Sequence, residues 1–233
     1  MYSKPQKIAA EFVGTFVFVF FGVGAIVADQ FLRTSSPSLP GVGRLGIALA
    51  QGLAFGIGVT ALGHISGGHF NPAITIGLWV TRKISTFDTI VYWLAQLGGG
   101  IAAAYLLRTL PFEAWSSVQM GTPDLAIGIT RATGIIFEAV MTFVVVFVYF
   151  ATREDKRNAS MQMAGLAVGL TVTIAVLLGA PFTGAALNPA RVIGPALAAN
   201  HWTNIGVYMI GPLGGGVVAG WLYDTLFLSK KEI

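Results

Sequence analysis

The chain of 233 residues has no cysteine, which excludes disulfides, thiolate metal sites and cysteine nucleophiles. Charge is scarce too. There are 14 Lys and Arg, 10 Asp and Glu and three His, against 55% hydrophobic residues and a mean hydropathy of +0.74. So little polar surface cannot cover a soluble domain of this length, and the chain reads as an integral membrane protein. The isoelectric point near 9.5 does not point to nucleic acid, because the basic residues sit at the ends of apolar stretches rather than in one stripe. No nucleophile with a base and no set of metal ligands stands out, so neither an enzyme, a cofactor nor a bound metal is expected. Residues 8–28 are apolar, but Glu11 interrupts them and no small-residue cleavage site follows, so a cleavable signal is not expected there.

What the chain does have is long apolar runs. A bilayer core needs roughly 20 residues per helix, and six stretches qualify: 7–29, 45–64, 87–109, 131–152, 161–180 and 203–228. Two shorter apolar segments, 71–80 and 188–199, are too short to span. Each follows a Gly- or Ala-rich approach, and irregular backbone at membrane depth is tolerated only where protein buries it or it lines a wet cavity. Both are read as half-helices entering from opposite faces. The fold class is therefore an all-α membrane protein with six transmembrane helices and two re-entrant half-helices.

Orientation follows from the basic residues. With both termini cytoplasmic, that side carries Lys4, Lys7, Arg82, Lys83, Arg153, Lys156, Arg157, Lys230 and Lys231, and the other only Arg33, Arg44, Arg108 and Arg131. The plasma (inner) membrane is the expected location. The halves also repeat: Glu11, Thr15 and Phe16 match Glu138, Thr142 and Phe143 in spacing. Three spans per half make the copies, about 1–110 and 130–233, opposite in membrane orientation, so that their broken segments meet near the midplane of one domain covering 1–233. Glycines such as Gly22, Gly100, Gly165, Gly169, Gly214 and Gly216 are expected to bring helices close.

Each half-helix opens on the same tripeptide, Asn71-Pro72-Ala73 and Asn188-Pro189-Ala190. Asn before Pro is an ordinary helix start, but two copies at equivalent places in an inverted repeat are far more specific. On these motifs the chain resembles the aquaporins, the major intrinsic protein family of water and small-solute channels, over essentially its whole length. The resemblance implies a passive channel for water, with ammonia, hydrogen peroxide or small polyols as further solutes. It also implies exclusion of protons and ions, and a homotetramer in the lipid bilayer with one pore per subunit. Asn71 and Asn188 then lock the two loops together and donate to the permeating molecule. Two positive helix ends facing the pore centre disfavour a cation there.

Arg191 is an intramembrane charge with no acidic neighbour in sequence, costly unless it lines water or meets carbonyls. The resemblance makes it the selectivity-filter arginine. Ungapped counting from the Asn residues puts the other filter positions at Gln51, Val176 and Ala185, with Phe55 one turn beyond Gln51 as an alternative wall. That ring lacks the aromatic and histidine of water-only members and is closer to the wide filter of plant tonoplast members. Val192 and Ala196 depart from the glycerol-channel pattern, whereas Tyr208 keeps the water-channel aromatic. Phe18 and His69 are expected on the pore wall. Glu11 and Glu138 are expected to accept hydrogen bonds from the loops, His64 to support its loop, and His201 to carry no site. The rival class is an ion-coupled secondary transporter, which would use the Glu pair as ion sites but needs more ionisable core residues than these.

Overall fold

The computed structural model describes residues 2–158 and 163–228. Its helices in chain order are α1 (Lys4–Ser35), α2 (Gly43–Ser66), α3 (Pro72–Val80), α4 (Thr86–Leu107), α5 (Phe112–Trp115), α6 (Arg131–Tyr149), α7 (Ala164–Thr183), α8 (Pro189–Ala199) and α9 (Ile205–Tyr223). No strand occurs among the described residues. Six of these helices are long and apolar enough to cross a membrane, α6 and α9 being extended by the π-turns Phe150–Glu154 and Asp224–Leu228. Each expected span falls on one of them. Helix α1 continues past the expected end at 29 to Ser35, where Arg33 pairs with Asp29 one turn back at 2.8 Å. The expected start of the fifth span at 161 lies outside the described residues, as do Lys230 and Lys231. The connection 108–130 is more structured than its composition implies, holding α5 and a 3-10 turn at Gln119–Gly121.

The half-helices α3 and α8 are enclosed by the spanning helices, α3 against α4 and α9, and α8 against α4, α9 and the turn at 119–121. Enclosure is what allows their irregular approaches to exist at membrane depth. Small residues set the approach distances. On α2 and α7, a Cβ added to Gly56 would lie 2.6 Å from the Gly165 carbonyl, and one on Gly169 would lie 2.6 Å from the Gly52 carbonyl. The two backbones therefore touch along a small-xxx-small stripe. Gly100 of α4 lies against the Ala190 carbonyl, and Gly216 of α9 against that of Ala73, so each half-helix is gripped by a glycine from the other half. Gly214, expected among the packing glycines, instead has open space beside it.

Candidate pore

The Asn-Pro-Ala segments form the centre. Asn71 caps α3 by accepting from the Ala73 N–H at 2.8 Å, and Asn188 caps α8 by accepting from the Ala190 N–H at 2.9 Å. Pro72 and Pro189 sit at the first helical position, where no N–H is needed. Each amide nitrogen then crosses to the other loop. Asn71 Nδ2 donates to the Leu187 carbonyl at 2.9 Å, and Asn188 Nδ2 to the Phe70 carbonyl at 2.8 Å. The half-helices are thus tied end to end through their positive termini, with one N–H of each amide spent and one left over.

The approaches share a backbone signature. Counting back from each Asn, the left-handed residues are Phe70, Gly68 and Gly67 in the first loop and Leu187, Ala185 and Gly184 in the second. Such residues cost roughly 1–2 kcal/mol each when they carry a Cβ, so the loops need fixed partners. Glu11 accepts from the Ser66 hydroxyl at 2.6 Å, the His69 and Phe70 N–H groups at 3.0 and 2.8 Å, and the Gln96 amide at 2.8 Å. Glu138 accepts from the Thr183 hydroxyl at 2.6 Å and the Ala186 and Leu187 N–H groups at 3.0 and 2.9 Å. A tyrosine closes each loop: Tyr92 donates to the Ser66 carbonyl at 2.9 Å and Tyr208 to that of Thr183 at 2.8 Å. A buried carboxylate is tolerable here because its lone pairs are taken up by donors.

Arg191 is 2% exposed, and its Nη1 donates to the Gly121 carbonyl at 2.8 Å while Nε meets no protein acceptor. Gly121 closes a run of three left-handed residues, Gln119, Met120 and Gly121, which presents that carbonyl. Val176 and Ala185 are brought together, since Ala185 Cβ would lie 3.1 Å from a Cβ at Gly179, one turn from Val176 on α7. Gly52 packs on Thr173, which sets the turn of α2 carrying Gln51 beside the turn of α7 preceding Val176. Gln51 is itself only 2% exposed, with its Cγ facing Gly22, and makes no hydrogen bond to the described residues. Phe55 is committed elsewhere, edge-on to Phe18 at 5.2 Å and to Phe70 at 6.1 Å. Val192 is buried beside Tyr208 and Val207, and Ala196 is likewise buried.

Below the first loop, a cavity of about 300 Å³ is lined by His69, Tyr92, Tyr149, Lys7, Lys83 and Glu154. His69 touches both tyrosine rings edge-on, at 5.0 and 5.9 Å. A larger space of about 560 Å³ is an apolar groove between α1 and α2, lined by residues such as Phe20, Phe21 and Leu53, and holds no chemistry. His64 does not brace the loop as expected. The buried stripe of α2 runs through Val59, Gly63 and Ser66, which turns His64 outward against Tyr2 at 5.6 Å. His201, given no role from sequence, lies 3.2 Å from Asp124, which also takes the Asn204 amide at 2.8 Å. Sequence reasoning missed Ser66, Thr183, Thr75, Gln96, Tyr92 and the Gly121 carbonyl. Aligning the halves on their Asn residues would have found Ser66 and Thr183, both five places earlier; nothing local marks the others.

The major intrinsic protein family matches residues 2–223. Aquaporin TIP4-1 of Zea mays is 43% identical over 228 residues, covering 97% of this chain and 87% of that protein. Aquaporin TIP2-1 of Arabidopsis thaliana is 39% identical over 231 residues, covering 99% and 90%. Among solved structures, the aquaglyceroporin from Plasmodium falciparum superposes with a TM-score of 0.83 at 24% identity, covering 96% of this chain and 97% of its own, which shows a shared fold. The curated relatives are tonoplast proteins, so the expected plasma-membrane location has no support from them. The chain is an integral, multi-pass membrane protein that belongs to the major intrinsic protein family, whose members are channels and not enzymes.

Proposed function

We propose that the protein is a passive pore for water and small neutral solutes, ammonia and hydrogen peroxide foremost and small polyols after them, which turns away protons and ions. The observation that carries this reading is the reciprocal pair of Asn71 and Asn188 bonds, which sets two positive helix ends against each other at the centre of the bundle. Each Asn keeps a donor for a passing molecule, and a cation meets repulsion from both sides. Arg191 adds a fixed positive charge at the outer constriction, where Gln51, Val176 and Ala185 complete the filter, with Phe18 and His69 further along the wall. Val176 and Ala185 offer little bulk and no hydrogen bond, and the Gln51 amide is flexible, so steric rejection is weaker than in a ring of Phe, His and Arg. Both termini face the cytoplasm, one domain holds the two repeats, and four subunits assemble with a pore in each.

Stopped-flow shrinkage of proteoliposomes against a panel of osmolytes tests this, together with an internal pH dye. The expected result is fast water flux, measurable ammonia and peroxide entry, and no proton current. A current that scales with protein content, or solute flux that follows an ion gradient, favours the coupled transporter instead.

A further inference from the structure

Three polar side chains beside the first Asn-Pro-Ala segment have no counterpart beside the second. His69, Thr75 and Gln96 stand where the second half has Ala186, Val192 and Pro212, with the halves aligned on Asn71 with Asn188 and on Tyr92 with Tyr208. All three are buried. Their hydrogen bonds can be assigned from the inside outward.

Gln96 Nε2 lies 2.8 Å from Glu11 Oε2 and 3.0 Å from Thr75 Oγ1, while its Oε1 meets no donor. The Glu11 carboxylate already accepts from Ser66 and two loop N–H groups, so the face turned to it must be the amide nitrogen. Both Gln96 protons are then committed, one to Glu11 and one to Thr75. The Thr75 hydroxyl accepts from Gln96 and retains one proton and one lone pair. Its remaining neighbours are the Asn71 carbonyl at 3.1 Å and His69 Nδ1 at 3.1 Å. The carbonyl can only accept. Every contact is satisfied if Thr75 donates to Asn71 and accepts the Nδ1–H of His69. The opposite choice leaves a bare hydroxyl lone pair facing a carbonyl oxygen at 3.1 Å, with no proton between them.

The geometry points to His69 held as the neutral Nδ1–H tautomer, with Gln96 and Thr75 as the positioning residues that fix it and a bare Nε2 lone pair as the free face of the ring. The ring makes no hydrogen bond to a carboxylate among the described residues, so nothing holds a second proton on it. Nε2 lies beside Gly67, where an added Cβ would come within 2.8 Å, and Gly67 also has the left-handed φ of 102°. With His69 on the pore wall, as in the proposed function on which this consequence rests, the first half contributes an acceptor that takes a permeant's O–H or N–H. The two asparagine amides act as donors. A molecule moving between them is handed from donor to acceptor, and the second half, with Ala186 in place of His69, offers no such side chain.

The experiment is solid-state nitrogen NMR of the full chain in liposomes, labelled with 15N-histidine. His64 and His201 are replaced by Gln, so that His69 gives the only signal. The expected spectrum is that of an imidazole protonated at Nδ1 with a bare Nε2; a major Nε2-protonated form, or an imidazolium at neutral pH, overturns the assignment. Thr75→Val removes the acceptor, and the ratio of the two tautomers should invert, whereas Thr75→Ser should keep the parental pattern. An unchanged ratio in folded Thr75→Val removes Thr75 from its positioning role. If that variant does not fold, the parental spectrum still decides. Water flux in the same liposomes is read separately, so the tautomer and the channel reading can fail independently.

Discussion

The loops at 66–71 and 183–188 use the same backbone and nearly the same braces, yet differ in what they present. Each has left-handed residues at the first, third and fourth places before Asn, a carboxylate accepting two of its N–H groups, a hydroxyl on that carboxylate and a tyrosine on the hydroxyl residue's carbonyl. Beyond that set the halves part. The first adds Gln96, Thr75 and His69; the second has Pro212, Val192 and Ala186 there and carries Arg191 where the first has Ile74. The shared set has one physical task, satisfying buried backbone at membrane depth. The unshared set gives the halves different buried chemistry: Gln96 and Thr75 run from Glu11 to His69 in the first, and Arg191 reaches the Gly121 carbonyl in the second.

That division can be broken by experiment. The largest effect is expected from the shared braces. Glu11→Leu leaves two hydroxyl or amide donors and two loop N–H groups without an acceptor, and Glu138→Leu leaves three donors. At about 1–3 kcal/mol per orphaned donor, both variants should lose several kcal/mol and fail to yield monodisperse protein in detergent. Parental melting temperatures for either would show that the carboxylates do not hold the loops.

Next comes the unshared charge. Arg191→Val should leave the fold intact while proton or cation leak and the flux of larger solutes rise, read by a pH dye and osmolyte shrinkage. A correctly assembled Arg191→Val channel with every permeability unchanged would remove Arg191 from the filter. A smaller change is expected from Gln51→Phe combined with Val176→His, which narrows the ring. Solute flux should fall more than water flux, and an equal ratio in parent and double variant would move the constriction toward Phe55.

The smallest effect concerns the segment that carries Arg191's carbonyl partner. Burial pushes the Asp124 carboxyl up, but hydrogen bonds from the Asn204 amide, the Leu125 N–H and His201 outweigh it and hold the group below its ordinary range. A depressed folded value means the contribution is complete above the unfolded value, about 3.9, and is lost as pH falls through the folded one. Asp124 is partly exposed, so Asp124→Asn should cost less than about 1 kcal/mol. The drop in melting temperature should be present at pH 7 and shrink toward about pH 3. A gap that stays constant over that range would mean the segment is held by packing alone.

Local pattern carried the architecture. Apolar length gave the six spans and two Asn-Pro-Ala tripeptides gave the half-helices, because span length and helix starts are set by residues within a few places of each other. The ends were less well defined, as α1 shows by running on to Ser35, and α5 was not anticipated. The braces were only half visible. Glu11 and Glu138 stood out as charges in apolar runs, but Gln96 reaches Glu11 across 85 residues and Asn71 reaches Leu187 across 116. His64 and His69 are both histidines near one glycine pair, and only the helical phase of α2 and the fold of the loop send one outward and the other inward. The sequence by itself determined a bundle of six spans with two broken segments that meet. Tertiary structure decided which buried polar groups face each other, since a hydrogen bond is fixed by distance and direction in space and leaves no periodic trace along the chain.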